Sequence, residues 1–184
     1  MSDYQNILDF WFDEAGPEKW YKKSYAFDAE VRHRFEDISN QIAARLKRSP
    51  HKWENSPNSS LALIIATDQF SRNMYRDTQA AFAWDRLAIG VAERMIEKKW
   101  DFQIDQSRRE FIYLPFMHSE SLDHQNCCVE LCDQRLNNVE NLKHAIAHRD
   151  LIARFGRFPH RNEVLGRDST PEEIEFLADG GYAL

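Results

Sequence analysis

Apolar residues recur at intervals of three and four along most of this sequence, the spacing that places them on one face of an α-helix. The clearest stripe falls within residues 27–46 and consists of Phe27, Val31, Phe35, Ile38, Ile42 and Leu46. No segment alternates convincingly between apolar and polar residues, and β-branched residues are sparse. The pattern therefore predicts an all-α protein of about eight helices.

The connections between these helices are mostly short, and short connections favour antiparallel neighbours. We therefore expect helical hairpins, arranged either as a tetratricopeptide-like superhelix or as an irregular bundle. No clean repeat of about 34 residues is present, so regular tetratricopeptide repeats are not demonstrated. The length of 184 residues suits one all-helical domain, residues 1–184.

Hydroxyl side chains mark the predicted beginnings of several helices, because serine and threonine cap free backbone N–H groups. The predicted starts are Ser59 or Ser60, Thr78 and Ser169. The first pair closes the clearest loop, residues 49–60, which contains two prolines. Glu172 stands three residues after Ser169 and completes the pattern of a capping box.

The acidic composition and the cysteine pattern limit the partners and the compartment. A formal net charge of -6 argues against non-specific nucleic-acid binding, which depends on a basic field. Cys127, Cys128 and Cys132 suggest no disulfide framework, which favours a reducing compartment. The first residues carry acids where a signal peptide needs a basic flank, and the apolar run of residues 61–66 is too short for a membrane span. We expect a soluble, cytoplasmic protein with no nucleic-acid or membrane partner, and the oligomeric state stays open.

Arginine is concentrated between residues 148 and 167, where five arginines and two histidines occur without a lysine. Aromatic residues separate these charges, and only two acids lie among them. Guanidinium groups bind carboxylate or phosphate in a planar, bidentate manner, so this composition is typical of an anion-binding surface. The segment contributes four predicted ligand-binding residues, Arg154, Arg157, His160 and Arg161.

A structural explanation competes with this prediction. Arg154 and Arg157 flank the predicted end of a helix at Gly156, where cations interact favourably with the helix dipole. Asp150 also stands four residues before Arg154, so these two residues could simply form an ion pair.

A second polar block follows the apolar run of residues 61–66 on the same predicted helix. Asp68 and Arg72 stand four residues apart in the favourable orientation for an ion pair, which contributes only roughly 0.2–0.5 kcal/mol when solvated. Because the preceding turns are apolar, we favour a partly buried pair, which is evidence of specificity or of a pocket wall and not of stability. Arg72 and Arg76 are added to the predicted ligand-binding residues.

The candidates for catalysis are His118, His160 and Asp68. His118 follows Pro115, which should kink or end its helix and could direct the imidazole into a cleft. Either histidine would act as the acid or base, with Asp68 as the orienting carboxylate. A hydrogen-bonded core histidine is the commoner outcome for His118.

His124, Cys128 and Cys132 share one helical face through their four-residue spacing. Tetrahedral zinc needs ligands that converge from more than one turn, and no C-x-x-C motif is present. Buried thiols are therefore the favoured interpretation, and no metal site is predicted. Phosphate-binding loops, dinucleotide fingerprints and the common hydrolase motifs are also absent, so the sequence predicts no cofactor.

Four segments carry a resemblance to a known family: ILDFWF, LALIIATDQFSRNMYRDTQAAFAWDRLA, FIYLPFMHSE and HRDLIARFGRFPHRNEVLGRDSTPEEIEFL. In this order they resemble the bacterial family known as domain of unknown function 924, from Ile7 to Leu177. The resemblance implies a compact, wholly helical, tetratricopeptide-like fold. It implies no reaction, because the family has no assigned activity, cofactor or catalytic residues to carry over.

Three functions fit these observations. The preferred one is a binding module that recognises an anionic small molecule or an acidic peptide through an Arg/His-rich pocket. The alternatives are a structural or assembly protein without a ligand site, and a hydrolase or transferase that acts on an anionic substrate. Convergence of the polar side chains on one pocket would favour binding or catalysis, whereas mutual salt bridges without a cavity would favour the scaffold.

Overall fold

The computed structural model describes residues 3–181, which form two compact units, the N-terminal unit (residues 3–115) and the C-terminal unit (residues 116–181). No β-strand occurs within residues 3–181, and the all-α prediction is confirmed. The outer limits of the predicted domain, residues 1 and 184, lie outside the described residues.

The N-terminal unit is built on one long helix and several shorter ones. Its helices are α1 (Asp3–Leu8), α2 (Pro17–Trp20), α3 (Tyr25–Leu46), α4 (Pro57–Ile64), α5 (Phe70–Met74), α6 (Asp85–Glu97) and α7 (Gln106–Met117), at whose end the units divide. A π-helical segment, Asp9–Ala15, continues α1, and another, Ile65–Gln69, joins α4 to α5. Short 3-10 turns occupy Gln79–Phe82 and Trp100–Gln103.

Aromatic rings fill the centre of the N-terminal unit. Trp11 meets Phe70 and Phe111 edge to face, with ring centroids 5.7 Å and 5.8 Å apart. Phe10 packs on Phe35 at 4.8 Å, and all five rings are buried. Such pairs contribute about 0.5–1.5 kcal/mol each beyond the apolar area that they bury.

Helix α3 matches its predicted apolar stripe. Ser24 caps its first turn, because its hydroxyl oxygen accepts a hydrogen bond from the backbone N–H of Phe27. Val31, Phe35 and Ile42 are buried on one face of the helix. This burial fixes the rotation of α3 about its axis. Ile38 is therefore half-buried at the edge of the core, and Gln41 and Arg45 on the next turns are exposed.

All three predicted helix starts are displaced, by one residue at the last helix and by about two turns at α6. Helix α4 begins at Pro57 and is capped by Ser56, before Ser59 or Ser60. Thr78 precedes a 3-10 turn without capping it, and α6 begins only at Asp85.

The last helix is capped by Thr170, one residue after Ser169, and its capping box uses Glu173 in place of Glu172. Proline explains this shift and the shift at α4, because it occupies the first helical position and therefore makes the preceding residue the cap.

The C-terminal unit contains α8 (Leu122–Arg135), α9 (Val139–Phe155), a 3-10 turn at Pro159–Arg161 and α10 (Pro171–Ala178). Helices α8 and α9 pack against each other after a short connection, as expected for a helical hairpin. The core near the end of α9 comprises Leu151, Ile152 and Phe158, with Phe155 and Phe176 packed against it.

Gly156 ends α9 in the left-handed conformation, with φ 70°. Its backbone N–H donates to the carbonyl of Ile152 at 2.9 Å, which is the usual closure of a helix C-terminus. This bend separates α9 from the arginine-rich turn that follows.

Within residues 3–181, no helix combines the length and the apolar character that crossing a bilayer requires.

Replacing Gly156 with alanine should lower the free energy of unfolding by about 1 kcal/mol, because side chains other than glycine rarely adopt a positive φ. Nothing lies within 4 Å of the position that a Cβ would occupy, so the cost comes from the backbone alone. Urea denaturation measures the difference. Gly156→Asn is the matched control and should lose clearly less, because asparagine tolerates this conformation; equal losses in the two variants would refute this cause.

Candidate functional site

The predicted pair of Asp68 and Arg72 is present and partly buried. Asp68 is 0 % exposed and lies in the π-helical segment between α4 and α5. Arg72 Nη1 is 3.2 Å from Asp68 Oδ1. The same guanidinium holds Asp85 through two hydrogen bonds of 2.9 Å and 3.2 Å, and Gln69 donates to the second oxygen of Asp68. The preference for partial burial is confirmed, and both groups are engaged within the unit.

Arg76, the other predicted ligand-binding residue of this unit, is also paired internally. Its Nε and Nη2 donate to the two oxygens of Asp28 at 2.6 Å and 2.8 Å. Asn73 adds a third hydrogen bond to Asp28 at 2.9 Å. Burial opposes the charge on Asp28, but these three hydrogen bonds lower the pKa of its carboxyl group.

In the C-terminal unit, Arg154 and Arg157 both pair with acids of α10. Arg154 Nε lies 2.8 Å from Glu172 in an exposed pair. Arg157 forms a bidentate pair with Glu173 at 2.7 Å and 2.8 Å and also donates to the backbone carbonyl of Asp168. The expected pair of Asp150 with Arg154 is wrong, since Asp150 accepts from Arg149 at 2.6 Å.

Glu173 is the centre of this network. Besides Arg157, it accepts hydrogen bonds from the backbone N–H of Thr170 at 2.7 Å and from Asn162 Nδ2 at 3.2 Å. The hydrogen bond from Arg157 is the main reason that the pKa of Glu173 is lowered to about 2, against the opposing effect of burial. Glu173 thus ties α10 to the turn that follows α9.

Glu120 forms a second centre in the same unit. Arg167 binds both of its oxygens at 2.7 Å and 3.0 Å, and the backbone N–H of Phe158 donates to it at 2.9 Å. Arg161, which is buried, donates to the backbone carbonyl of His118 at 3.0 Å and lies over the ring of Phe158. The arginine-rich turn is therefore held by carboxylates and carbonyls of its own unit.

The histidines near this turn are poor carriers of positive charge. Burial lowers the pKa of His148 to about 3, and its Nδ1 lies 2.7 Å from the carbonyl of His144. His160 is exposed, and one face of its surroundings is the ring of Phe158, with centroids 5.5 Å apart; desolvation, followed by the charge of Arg161, lowers its pKa to about 4. His160 is therefore neutral at pH 7 and adds no charge for an anion.

The three catalytic candidates fall in different units. Asp68 belongs to the N-terminal unit, whereas His118 and His160 belong to the C-terminal unit. Within the C-terminal unit, Arg161 connects the backbone of His118 to the turn that carries His160. Their assignment to catalysis stays a prediction.

The thiols of Cys128 and Cys132 lie 4.0 Å apart and are buried. The hydrogen bond to Cys132 and burial together raise the pKa of Cys128 well above its usual value, so the thiol stays protonated. No group of three His, Cys, Asp or Glu side chains within residues 3–181 is arranged to hold a metal ion.

A cavity of about 410 Å³ in the N-terminal unit was not predicted from the sequence. It is lined by Asp3, Ile38, Gln41, Ile42, Arg45, His51, Lys52 and Trp53. Its volume lies within the range of small-molecule sites, roughly 300–1,000 Å³. It combines an apolar wall with cationic and polar groups, as ligand sites do.

Helical geometry brings half of this lining together. Ile38, Gln41, Ile42 and Arg45 follow one another at intervals of three, one and three on α3, so they share one face of the helix. Asp3 enters from α1. The remaining residues, His51 to Trp53, come from the loop between α3 and α4.

The loop is held in place by its own hydrogen bonds. The backbone N–H of Trp53 donates to His51 Nδ1 at 3.1 Å, and the N–H of His51 donates to Glu54 at 2.8 Å. Glu54 is itself paired with Arg94. These contacts are all made within the protein, so they fix the conformation of the loop side of the cavity.

Arg45 and Lys52 differ from the arginines that were predicted to bind ligand. Neither has a carboxylate within salt-bridge distance among the described residues. Desolvation, followed by the charge of Lys52, lowers the pKa of His51. A neutral His51 that accepts at Nδ1 carries its proton on Nε2 and offers a hydrogen-bond donor there.

The sequence held a signal for this site. His51, Lys52 and Trp53 stand together in the loop that follows α3, a long helix with Arg45 in its last turn. Binding groups are often found on loops beside rigid helices. The composition of the arginine-rich stretch predicts an anion site, but composition does not show which cations are paired with acids elsewhere in the fold.

Comparison with known proteins gives a family and a fold. Residues 7–181 match the model of a family described as "Bacterial protein of unknown function (DUF924)". A solved structure of a protein of unknown function from Agrobacterium tumefaciens is 42 % identical in sequence, with a TM-score of 0.89 over 96 % of this chain and 97 % of that chain. No curated protein matches the chain.

Replacing Glu173 with glutamine should lower the free energy of unfolding at pH 7 by roughly 3 kcal/mol. This is the low end of the range for breaking a buried pair, because the side chain of Arg157 is 27 % exposed. The folded-state pKa of about 2 lies below the unfolded value, which is about 4.3. The carboxylate therefore stabilises the fold fully above the unfolded value, and this contribution is lost as the pH falls towards 2.

Urea denaturation at a series of pH values tests this assignment, with Glu172→Gln as the neighbouring control. The exposed pair of Glu172 with Arg154 should contribute less than about 1 kcal/mol. Glu173→Gln should also show a shallower loss of stability than the wild type below about pH 4. Equal destabilisation by the two substitutions, or an unchanged pH profile for Glu173→Gln, would contradict the central place of Glu173.

Proposed function

The chain belongs to the bacterial DUF924 family of unknown function, and from this premise we propose that it is a binding protein that takes a small organic anion into the cavity of its N-terminal unit. The observation that carries the proposal is the combination of an apolar wall with two exposed cations, Arg45 and Lys52, that have no carboxylate partner within residues 3–181. A cation that is not neutralised by its own fold is the group that can bind an external anion.

The lining favours a ligand with a charged head and an apolar body. Ile38, Ile42 and Trp53 offer aliphatic and aromatic surface, and contact with them would be stabilised by the hydrophobic effect. Arg45 offers a planar pair of donors that matches a carboxylate, and Lys52 adds a second charge at the rim. Gln41 and His51 Nε2–H supply neutral hydrogen-bonding groups that would orient the head.

The arginine-rich turn has a structural role in this proposal. Arg157 and Arg167 each bind a carboxylate in a bidentate manner, and Arg161 donates to a backbone carbonyl. These contacts secure the turn between α9 and α10, as the scaffold interpretation expects. An external anion at this turn would have to displace a carboxylate that is already bound.

Binding is favoured over catalysis by the residue types in the cavity. Its lining contains no serine, cysteine or threonine that could serve as a nucleophile. Its histidine is committed at Nδ1 to the backbone of Trp53, so it lacks the free basic nitrogen of a general base.

Arg45→Gln should weaken the binding of a simple amphipathic carboxylate, 3-phenylpropionate, by about tenfold or more, since hydrogen bonds to charged groups contribute roughly 1.5–3 kcal/mol. Isothermal titration calorimetry measures the dissociation constant. Thermal denaturation should show a concentration-dependent rise in Tm for the wild type that is lost in the variant.

Arg48→Gln is the matched control, because Arg48 is an exposed arginine one turn further along the chain that does not line the cavity. It should bind as the wild type does. Equal weakening by both substitutions would indicate a general charge effect, and no binding by the wild type would overturn the proposed function.

A further inference from the structure

We infer that the cavity recognises a ligand that carries an ammonium group as well as a carboxylate, namely a free apolar α-amino acid or a short apolar peptide. The inference rests on the proposed function and adds a second recognition element to it. Its starting point is Asp3, the acidic residue among the eight that line the cavity.

Asp3 does not neutralise the cations of the cavity. Its carboxylate forms no salt bridge within 4.0 Å with Arg45 or Lys52, although all three side chains line the same space. The three groups also come from different elements, since Asp3 lies on α1, Arg45 on α3 and Lys52 in the following loop. The cavity therefore presents separated charges of opposite sign, which a ligand of one sign would match only in part.

The dimensions suit a zwitterion. A sphere of the observed volume is about 9 Å across, within the size of an ordinary ligand site. Two charge-assisted hydrogen bonds of about 2.8 Å, joined through the ammonium and carboxylate groups of one amino acid, span on the order of 8 Å. The size of the cavity thus admits one α-amino acid between the elements that carry Asp3 and Arg45.

The remaining residues of the lining indicate which side chain the ligand should carry. Ile38, Ile42 and Trp53 are the apolar residues of the cavity, so the side chain that branches from the α-carbon of the ligand should be aliphatic or aromatic. His51 is held neutral by desolvation and by Lys52, so it adds a hydrogen-bond donor without adding charge. Asp3, Arg45 and Lys52 are all exposed, so the charged groups of the site lie at the rim of the cavity.

Three related probes separate the two charges. L-phenylalanine carries both, 3-phenylpropionate lacks the ammonium, and phenethylamine lacks the carboxylate. For the wild type, calorimetry should give a dissociation constant for L-phenylalanine that is at least tenfold lower than for either analogue, because an analogue leaves a charged group of the site unpaired.

Asp3→Asn should remove the preference for L-phenylalanine over 3-phenylpropionate, because the neutral amide no longer pairs with the ammonium group and no longer repels the carboxylate of 3-phenylpropionate. Asp37→Asn is the matched control, since Asp37 is an exposed acid on α3 that does not line the cavity, and it should preserve the preference. Circular dichroism of each variant verifies that the helices are intact.

The outcomes distinguish this inference from the proposed function. Equal affinity of the wild type for L-phenylalanine and 3-phenylpropionate, with both dependent on Arg45, would overturn the zwitterion and retain the anion site. A preference that survives in Asp3→Asn would overturn the role of Asp3. Equal affinity for L-phenylalanine and phenethylamine, or no binding of any probe, would overturn both.

Discussion

A guanidinium whose charge is already balanced by a carboxylate of the same fold attracts an external anion less strongly, and this limit governs where the protein can bind one. Arg76 with Asp28, Arg157 with Glu173 and Arg167 with Glu120 are bidentate pairs of this kind. Each pair joins two elements of one unit. The contacts that stabilise the fold therefore also neutralise these arginines. An external anion is therefore expected at a cation that has no such carboxylate partner.

Local sequence patterns predicted what depends on local contacts. The stripe of α3, the buried pair of Asp68 with Arg72 and the end of α9 at Gly156 all follow from spacings of three or four residues. The cap of α10 was displaced by one residue because the proline that follows Thr170 fixes the first helical position. This error is small, because the two candidate cap residues, Ser169 and Thr170, are neighbours within a single turn.

The partners of the arginines could not be predicted in this way. Arg157 and Glu173 are 16 residues apart, and Arg167 and Glu120 are 47 residues apart. Neither spacing carries a periodic signal. The excess of arginine over acidic residues in the local sequence was therefore taken as unbalanced positive charge, although distant acids balance it in the fold. The cavity escaped prediction for the same reason, because α1, α3 and the loop before α4 each contribute only part of its lining.

The central claim is that an anion binds beside Arg45 and not at the arginine-rich turn. The most direct test is a two-dimensional ¹H–¹⁵N NMR titration of the whole protein with 3-phenylpropionate. We expect shift changes concentrated in the amides of residues 38–45 and 51–53, with residues 154–161 unaffected. Shift changes concentrated in residues 154–161, with none in the loop of residues 51–53, would contradict the account.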